Sequence, residues 1–317
     1  MISAKFSFCQ KSDSLKQILS KKNIKLYGVR PAFLHFSVRT LPAINDFPSN
    51  DQFRNTDYSI NKSFKIKLNV PVLMSDRLSI IGQLRYNNEQ LHLGEDVLDK
   101  EKDLHFDNAG MSLMLKYNIK NSYFIGGHIS GFFKSDKLTF EQYASILDYS
   151  GSFIVGKDMD YGSIGFGAIM GNSLGRFRLY PLFLLDYQFS DTWKLEMKLP
   201  KEIQFRKMLK PDNFYLIAGA EVNGASYFIS ERIYDGVDNI EYRRAAVDLR
   251  IGIEKEIYDF LWFGIDLGFT QPVYSALVES GQPTRNKLFD FNQSFTPYGS
   301  LSLYIVPPRA LFNKFHK

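Results

Sequence analysis

Apolar and polar residues alternate along most of this chain, in runs separated by residues that favour turns. Residues 58–72 show the pattern most clearly. One face of this run carries Phe64, Ile66, Leu68, Val70 and Val72, and the opposite face carries Ser63, Lys65, Lys67 and Asn69. A period of two is typical of β-strands, because successive side chains point to opposite faces. The alternation recurs over 109–119, 193–199, 245–253 and 261–269, so the pattern predicts an all-β chain.

Short and long connections alternate between the predicted strands. Short turns fall at residues 74–77, 120–121, 157–160, 190–192, 210–212 and 258–259. Longer or more variable connections fall near 41–56, 88–106, 135–147, 171–175, 200–201, 230–239 and 270–293. These connections imply about 14 antiparallel strands, or about 12 if the weakly alternating run 202–209 merges with a neighbour. An even number of strands places both ends of an up-and-down barrel on the same side of a membrane.

Two fold classes contain strands of this kind: a soluble β-sandwich or barrel that buries its apolar faces, and a membrane barrel that turns them toward lipid. Strand length favours the membrane barrel, since crossing a bilayer takes about 9–11 residues, whereas strands of soluble proteins average about 5–6. Aromatic residues also gather near strand ends, as in interfacial girdles. They are Tyr58, Tyr86, Tyr117, Tyr123, Phe133, Tyr161, Tyr187, Trp193 and Phe269. We therefore predict a transmembrane antiparallel up-and-down β-barrel, closed because hydrocarbon cannot hydrogen-bond a strand edge.

Composition agrees with this fold and excludes several functions. Aromatic residues are 15% and hydrophobic residues 44% of the chain, yet the mean hydropathy is −0.21. No apolar run approaches the roughly 18 residues of a membrane-spanning helix. The net charge of +5 is spread along the chain, which argues against nucleic acid as a partner. A single cysteine, Cys9, and five scattered histidines lack the spacing of metal ligands, so we expect no metal and no cofactor.

The chain divides into a polar N-terminal tail (1–28), an outer-membrane barrel (29–306) and a C-terminal tail (307–317). An outer-membrane protein needs a secretory signal, and residues 1–22 do not contain a complete one. Ser7, Phe8 and Cys9 resemble the end of a signal cleavage site, so we hypothesise that the N-terminal tail retains a remnant of a signal peptide. Within the barrel, Pro181 interrupts the predicted strand 177–189 and removes a ladder hydrogen bond, which predicts a β-bulge there.

Part of the predicted barrel resembles a recurring segment of uncharacterised outer-membrane barrels from Gram-negative bacteria. The resemblance rests on Trp193-Lys194-Leu195-Glu196-Met197-Lys198-Leu199-Pro200, then Ile203-Gln204-Phe205 and Tyr215-Leu216-Ile217-Ala218-Gly219. These barrels are grouped as a domain of unknown function and are porin-like, or akin to hydrocarbon and fatty-acid transporters. Residues 58–86 resemble the same group, and the likeness covers about 29–306. It implies the barrel fold and an outer-membrane location, among outer-membrane lipids and lipopolysaccharide, and brings no catalytic residues.

The strand phase places a set of charged residues on the inward face. They are Lys65, Lys67, Arg85, Lys116, Arg178, Asp186, Lys194, Glu196, Lys198, Arg206, Glu221, Arg244, Asp248, Arg250, Glu254 and Asp266. Basic residues outnumber acidic ones, and a basic lumen attracts anions. We therefore expect a porin-like channel or transporter for small, anionic solutes. The alternative is that these charges pair across the interior and fill it, which would give a non-conducting structural or surface-interaction barrel.

Two further motifs have weaker functional interpretations. His128 and Ser130 share a strand face, and the tripeptide around Ile129 looks like the His-x-Ser pair of outer-membrane phospholipases and lipid A deacylases. Gly131 follows where the phospholipase motif has asparagine, and the pair faces inward, so a lipid hydrolase is the weakest alternative and we expect no enzyme. The acidic stretch 88–107 lacks the spacing of a calcium loop, which predicts a solvated surface loop.

Overall fold

The computed structural model describes residues 32–42, 60–93, 102–137, 147–173, 176–210, 213–230, 239–283, 285–291 and 295–309. Within these ranges no helix has the length and apolar character needed to cross a bilayer. The predicted N-terminal tail and most of the C-terminal tail lie outside the described residues, so the structure does not bear on them.

Fifteen strands in the described ranges join into one sheet. They are β1 Leu34–Pro42, β2 Ile60–Met74, β3 Leu78–Leu93, β4 Lys102–Asn118, β5 Tyr123–Ser135, β6 Leu147–Met159, β7 Gly162–Ser173, β8 Arg176–Gln188, β9 Trp193–Leu199, β10 Glu202–Lys210, β11 Phe214–Ile229, β12 Ile240–Tyr258, β13 Leu261–Glu279, β14 Lys287–Asp290 and β15 Thr296–Ile305.

The sheet closes on itself as a barrel of 14 strands, which confirms the predicted fold. Each strand from β1 to β13 pairs antiparallel with its sequence neighbours, and β15 pairs with both β13 and β1. The closing register joins Leu34 to Ile305 and Val38 to Leu301. The short β14 pairs with β13 above the end of β15 and extends one side of the barrel. Closure leaves the first and last strands without a free edge along this register.

The two ends of the barrel differ, and we name them by their connections. The turn end carries the short links between β2 and β3, β4 and β5, β6 and β7, β8 and β9, β10 and β11, and β12 and β13. The loop end carries the remaining links. Arg309, after β15, donates hydrogen bonds to Glu256 and Asp259 at the turn end, and these raise its pKa above the ordinary value, the bond to Glu256 contributing most.

Large apolar side chains cover the outside of the wall. Phe166, Leu179 and Leu267 are each more than 60% exposed, although they lie in the middle of regular strands. Exposed aromatic residues line the turn end (Tyr117, Tyr123, Tyr161, Tyr187, Phe189, Tyr258 and Phe260) and the region toward the loop end (Tyr149, Phe177, Phe269 and Phe295). Such a belt is unfavourable in water and is the surface that a membrane barrel presents to lipid.

Several strands are longer than the sequence pattern predicts. Residues 88–106, predicted as a loop, mostly continue β3 to Leu93 and resume β4 at Lys102. The predicted loop 270–293 likewise contains the end of β13 and all of β14. These predictions were wrong because the strand ends at the loop end bury apolar residues inward, which breaks the outward apolar pattern used to delimit strands.

Pro181 lies in an unbroken register, so the predicted bulge is wrong. It pairs with Ala168 of β7 between regular neighbours on both sides. On the other edge, β8 pairs with β9 only from Phe183 to Gln188. Pro181 therefore lies beyond the end of β9, where a missing N–H removes no ladder bond. The bulges in β2, β10, β12 and β13 lie elsewhere, for example between Pro71 and Leu73.

Candidate functional site

The barrel interior carries the charged residues of the candidate site. All sixteen residues predicted to line the lumen lie on inward rows, and none is exposed. Lys116, Asp186, Lys194, Lys198, Arg206 and Asp248 are buried, and Lys65, Lys67, Arg85, Arg178, Glu196, Glu221, Arg244, Arg250, Glu254 and Asp266 are half-buried. Alternation places them there, because their strand neighbours point outward to lipid. Whether they serve a solute remains a prediction.

Many of these charges form ion pairs along the wall from β8 to β12. Lys194 Nζ lies 3.0 Å from Asp186 Oδ2 and 2.9 Å from Glu196 Oε1. Glu196 also accepts a hydrogen bond from Gln204, and Arg206 donates to Glu254 on β12. A buried charge is tolerated when it is paired and hydrogen-bonded in this way. The charged side chains of this wall therefore form a network of ion pairs and are not free to bind a solute individually.

A second group of pairs involves residues that the sequence analysis missed. Arg39 of β1 makes two hydrogen bonds to Asp248, of 2.6 and 2.9 Å, and its guanidinium lies 3.7 Å from the centre of the Tyr298 ring. Lys116 donates to both carboxylate oxygens of Asp158, at 3.1 and 2.8 Å. The alternation of His35, Ser37 and Arg39 could have revealed the inward phase of β1, whereas Asp158 falls in a segment predicted as a turn.

Four cations lie near one another in the interior, and we call Lys65, Lys67, Arg85 and Lys201 the basic cluster. They lie on β2, β3 and the β9–β10 turn, close enough for mutual electrostatic repulsion. Glu221 and Glu89 attract Lys65, and Glu221 is the stronger of the two. Lys201 Nζ is 3.9 Å from Glu221, a long ion pair. Among the described residues, neither Lys65 nor Lys67 has a carboxylate within ion-pair distance. The guanidinium of Arg85 rests 3.8 Å from the centre of the Phe132 ring.

Apolar clusters occupy the interior toward both ends. The loop-end cluster joins Leu91, Leu104 and Phe106 of β3 and β4 to Ala225, Tyr227, Ile229, Ile240, Tyr242 and Leu277 of β11–β13, with Phe291. Phe106 stacks on Tyr227 with ring centres 4.7 Å apart, so opposite walls of the barrel meet there. At the turn end, Ala32, Met208, Tyr215, Trp262, Tyr304 and Val306 pack together. The charged interior therefore lies between two apolar clusters, and the cluster at the loop end joins opposite walls of the barrel.

A contact between non-neighbouring strands reinforces the constriction at the loop end. Ser135 of β5 pairs in parallel with Phe228 of β11, and Asp136 accepts hydrogen bonds from the backbone N–H and hydroxyl of Ser230. The strands β6–β10 lie between β5 and β11 around the ring, so this contact crosses the barrel. The described part of the barrel is thus narrower at the loop end than at mid-height.

His128 and Ser130 lie on the inward face of β5, as their spacing predicts. The Ser130 hydroxyl lies 2.7 Å from the hydroxyl of Ser150 on β6, and His128 is paired in register with Ser152. No hydrogen bond between His128 and Ser130 occurs among the described contacts. The arrangement lacks the serine–base contact that a nucleophile needs.

Comparison with known proteins finds a family and a general likeness of fold. The family model described as Domain of unknown function (DUF6268) matches residues 101–271, more than half of the chain. Together with the closed barrel, this match confirms the predicted resemblance to barrels of unknown function. None of the curated proteins matches the sequence.

Three solved structures illustrate the likeness. The translocator domain of the autotransporter NalP from Neisseria meningitidis is 7% identical, with a TM-score of 0.34 over 96% of this chain and 98% of that one. A FadL homologue from Pseudomonas aeruginosa is 11% identical, with a TM-score of 0.39 over 86% and 89%. LpxR from Salmonella typhimurium is 9% identical, with a TM-score of 0.33 over 86% and 100%. At these identities the likeness concerns the barrel fold alone.

Proposed function

The chain belongs to the family described as Domain of unknown function (DUF6268), and on that premise we propose that it is an outer-membrane transporter for small anionic solutes. The observation that carries the proposal is the basic cluster. Its two lysines on β2 lie at mid-height of the interior without a carboxylate in ion-pair distance among the described residues. Glu221 attracts both lysines, but it lies beyond ion-pair distance of either. A half-buried cation without a bonded counter-charge is unfavourable, so the cluster is best explained by an anion that occupies it.

The contrast with the rest of the interior supports this interpretation. Lys116, Lys194 and Arg206 each have a carboxylate partner fixed by the fold. Charges whose purpose is to fill the barrel are neutralised in pairs, as in these examples. The basic cluster departs from that rule, and such a departure is expected where a site binds a charged ligand.

The apolar constriction at the loop end favours selective transport over a wide diffusion pore. A porin-type channel needs a continuous water-filled path. Here the loop-end cluster brings β3 and β4 against β11–β13 and blocks such a path at that end. A solute would pass only if the loop-end cluster moves aside or if the solute enters elsewhere.

The same closure supports a second candidate, a non-conducting barrel whose loops or surface provide the function. Its specific support is the direct contact of β5 with β11 across the loop end. In such a barrel the basic cluster is permanently solvated and no ion crosses. Conductance separates the two candidates.

We place the barrel in the outer membrane of a Gram-negative bacterium, with its turn end toward the periplasm. Short turns face the periplasm in such barrels, and both described chain ends lie at that side. Outer-membrane lipids and lipopolysaccharide would then surround the apolar belt. We propose no enzymatic activity, because Ser130 is hydrogen-bonded to Ser150 rather than to a base.

Single-channel recording in a planar bilayer under a potassium chloride gradient tests the transport proposal. The reversal potential should show preference for chloride over potassium, because the cluster raises the local anion concentration. The double substitution Lys65→Gln with Lys67→Gln should bring the permeability ratio toward one. Lys62→Gln is the matched control, since Lys62 lies on the same strand but is exposed.

Preference for potassium in the unmodified protein would contradict the anionic substrate. Absence of any conductance would support the non-conducting barrel. An equal effect of Lys62→Gln and of the double substitution would show that net charge, rather than the basic cluster, sets the preference.

A further inference from the structure

The strands of the barrel wall are unusually short in the hairpin of β9 and β10. These strands have 7 and 9 residues, whereas the flanking strands β8 and β11 have 13 and 16. Seven residues at a tilt of about 40° rise only about 18 Å, less than the apolar band of about 25 Å in membrane barrels. The turn at Pro200 and Lys201 therefore lies inside the level of the apolar belt.

Above this hairpin, two strand edges lose their partners. β8 pairs with β9 only as far as Phe183, and β11 pairs with β10 only as far as Glu221, followed by a hydrogen bond from the Val222 N–H to the Lys201 carbonyl. Toward the loop end, β11 crosses the opening of the barrel and contacts β5 and β7. We call the gap between the upper edges of β8 and β11 the side opening.

Hydrocarbon cannot fill the side opening. On the β8 edge above Phe183, and on the β11 edge between Val222 and the contact of Phe228 with β5, backbone groups have no strand partner among the described residues. Lipid tails offer these groups no hydrogen bonds. Pro181 on the β8 edge also prevents another strand from pairing fully there. The side chain of Lys201 is 55% exposed at this level, and its ammonium group strongly favours water or an anion over lipid.

The two sides of the opening differ in polarity. On the lipid side, Phe177 and Leu179 of β8 are 61% and 67% exposed. On the inner side lie the other members of the basic cluster, with which Lys201 interacts electrostatically. A molecule held in the opening would meet apolar side chains and lipid at one end and lysines at the other.

We propose that the side opening admits an amphipathic anion, a single-chain lipid with a carboxylate or phosphate head group, whose head binds the basic cluster while its chain remains in the outer leaflet. This inference rests on the anion site of the proposed function and adds the route and the apolar chain. Entry from the side bypasses the apolar cluster that constricts the loop end.

Cysteine reactivity tests the opening itself. In a Cys9→Ser background, Lys201→Cys and Phe205→Cys are compared in phosphatidylcholine nanodiscs with a charged maleimide. Phe205 lies on the same hairpin and is 42% exposed toward lipid, so it is the matched control. The Lys201→Cys variant should react at least about tenfold faster than the Phe205→Cys variant, because the opening is hydrated whereas hydrocarbon raises the pKa of a thiol and excludes the reagent. Equal, slow reaction of both variants would overturn the side opening.

Ligand binding tests the occupant, with dodecyl phosphate, inorganic phosphate and dodecanol as probes in calorimetric titrations. Dodecyl phosphate should bind at least about tenfold more tightly than inorganic phosphate, and dodecanol should not bind at the site, because both the charged head and the chain contribute. Lys65→Gln with Lys67→Gln should weaken dodecyl phosphate binding about tenfold or more, and Lys62→Gln should not. Dodecyl phosphate should also slow the labelling of the Lys201→Cys variant.

The outcomes separate this inference from the proposed function. Suppose that inorganic phosphate binds as tightly as dodecyl phosphate and that the channel still prefers chloride. The proposed anion transport is then supported, and the proposed entry of a lipid through the side opening is contradicted. If neither phosphate binds and no anion preference is seen, both fail. Binding of dodecyl phosphate that is unaffected by the double substitution would also overturn the inference, because the head group would then lie elsewhere.

Discussion

At the scale of single residues, many charged side chains of the interior form ion pairs with a specific partner. Lys116 is 1% exposed, yet its ammonium contacts both oxygens of Asp158 and lies 4.4 Å from the centre of the Phe124 ring. Such a pair adds little stability compared with apolar packing, but loss of one partner leaves a buried charge. The pairs therefore fix the register of neighbouring side chains more than they strengthen the barrel.

Lys116→Met should lower the free energy of unfolding by about 3–5 kcal/mol, because it leaves the Asp158 carboxylate buried without a cation. The double substitution Lys116→Met with Asp158→Leu should recover most of this loss, since it removes both charges. Urea unfolding in lipid vesicles, followed by the fluorescence of Trp193 and Trp262, measures both. A double variant as unstable as the single one would show that packing, and not charge, dominates here.

At the scale of elements, strands β6, β7 and β8 pack closely around glycine. A Cβ placed on Gly167 would lie 1.9 Å from the carbonyl oxygen of Phe153 on β6. By contrast, a Cβ on Gly127 of β5 would have as its nearest neighbour the Ser152 carbonyl oxygen, at 3.9 Å. The coiling of β6 against β7 thus requires glycine at 167, whereas β5 tolerates a side chain at 127.

Gly167→Ala should destabilise the barrel by about 1–3 kcal/mol, because the two strands must separate to admit the methyl group. Gly127→Ala is the control and should change stability by less than about 0.5 kcal/mol. The urea unfolding midpoint of each variant, at constant m-value, provides the comparison. Equal midpoints would mean that β6 and β7 shift apart without penalty.

Sequence periodicity could predict most strand positions and the inward phase, because lipid on one side and polar groups on the other enforce strict alternation. Periodicity failed beyond the membrane level, where the outer face of a strand no longer contacts lipid. Leu91, Leu104 and Phe106 face inward beyond the belt, so 88–106 looked like a loop although strands continue through most of it. A bulge was predicted at Pro181 because periodicity does not show that β9 stops short of it.

The candidate site was predictable only in part, for a related reason. Alternation assigns Lys65 and Lys67 to the inner face, but it does not reveal which inward charges have partners on distant strands. Arg39 and Asp248 are 209 residues apart in sequence, and only closure brings them together. Lys201 looked like part of an ordinary connection, and its position depends on the lengths of four strands.

At the scale of the whole molecule, closure between β1 and β15 defines the barrel. Val38 and Leu301 are direct partners in this register. Directly opposed residues in antiparallel strands have Cα atoms about 4.5–5.5 Å apart, within the range of about 4.4–6.8 Å for disulfides. The register can therefore be tested by cross-linking the first strand to the last.

Val38→Cys with Leu301→Cys in a Cys9→Ser background should form a disulfide on mild oxidation in vesicles. After boiling, the oxidised chain should migrate faster on a non-reducing gel than the reduced chain, because the link keeps it circular. Val38→Cys with Leu303→Cys is the control, since Leu303 is the partner of Phe36 and is offset by two positions. More efficient cross-linking of the offset pair would contradict the register.

The pairing of β1 with β15 also constrains how the protein is made. The two strands come from opposite ends of the barrel sequence, so the sheet cannot close until the ribosome has finished nearly the whole chain. Until then, the nascent sheet has two open edges that can pair with other chains, and contacts so distant in sequence form slowly. Biogenesis therefore requires the edges of β1 and β15 to be shielded between synthesis and membrane insertion.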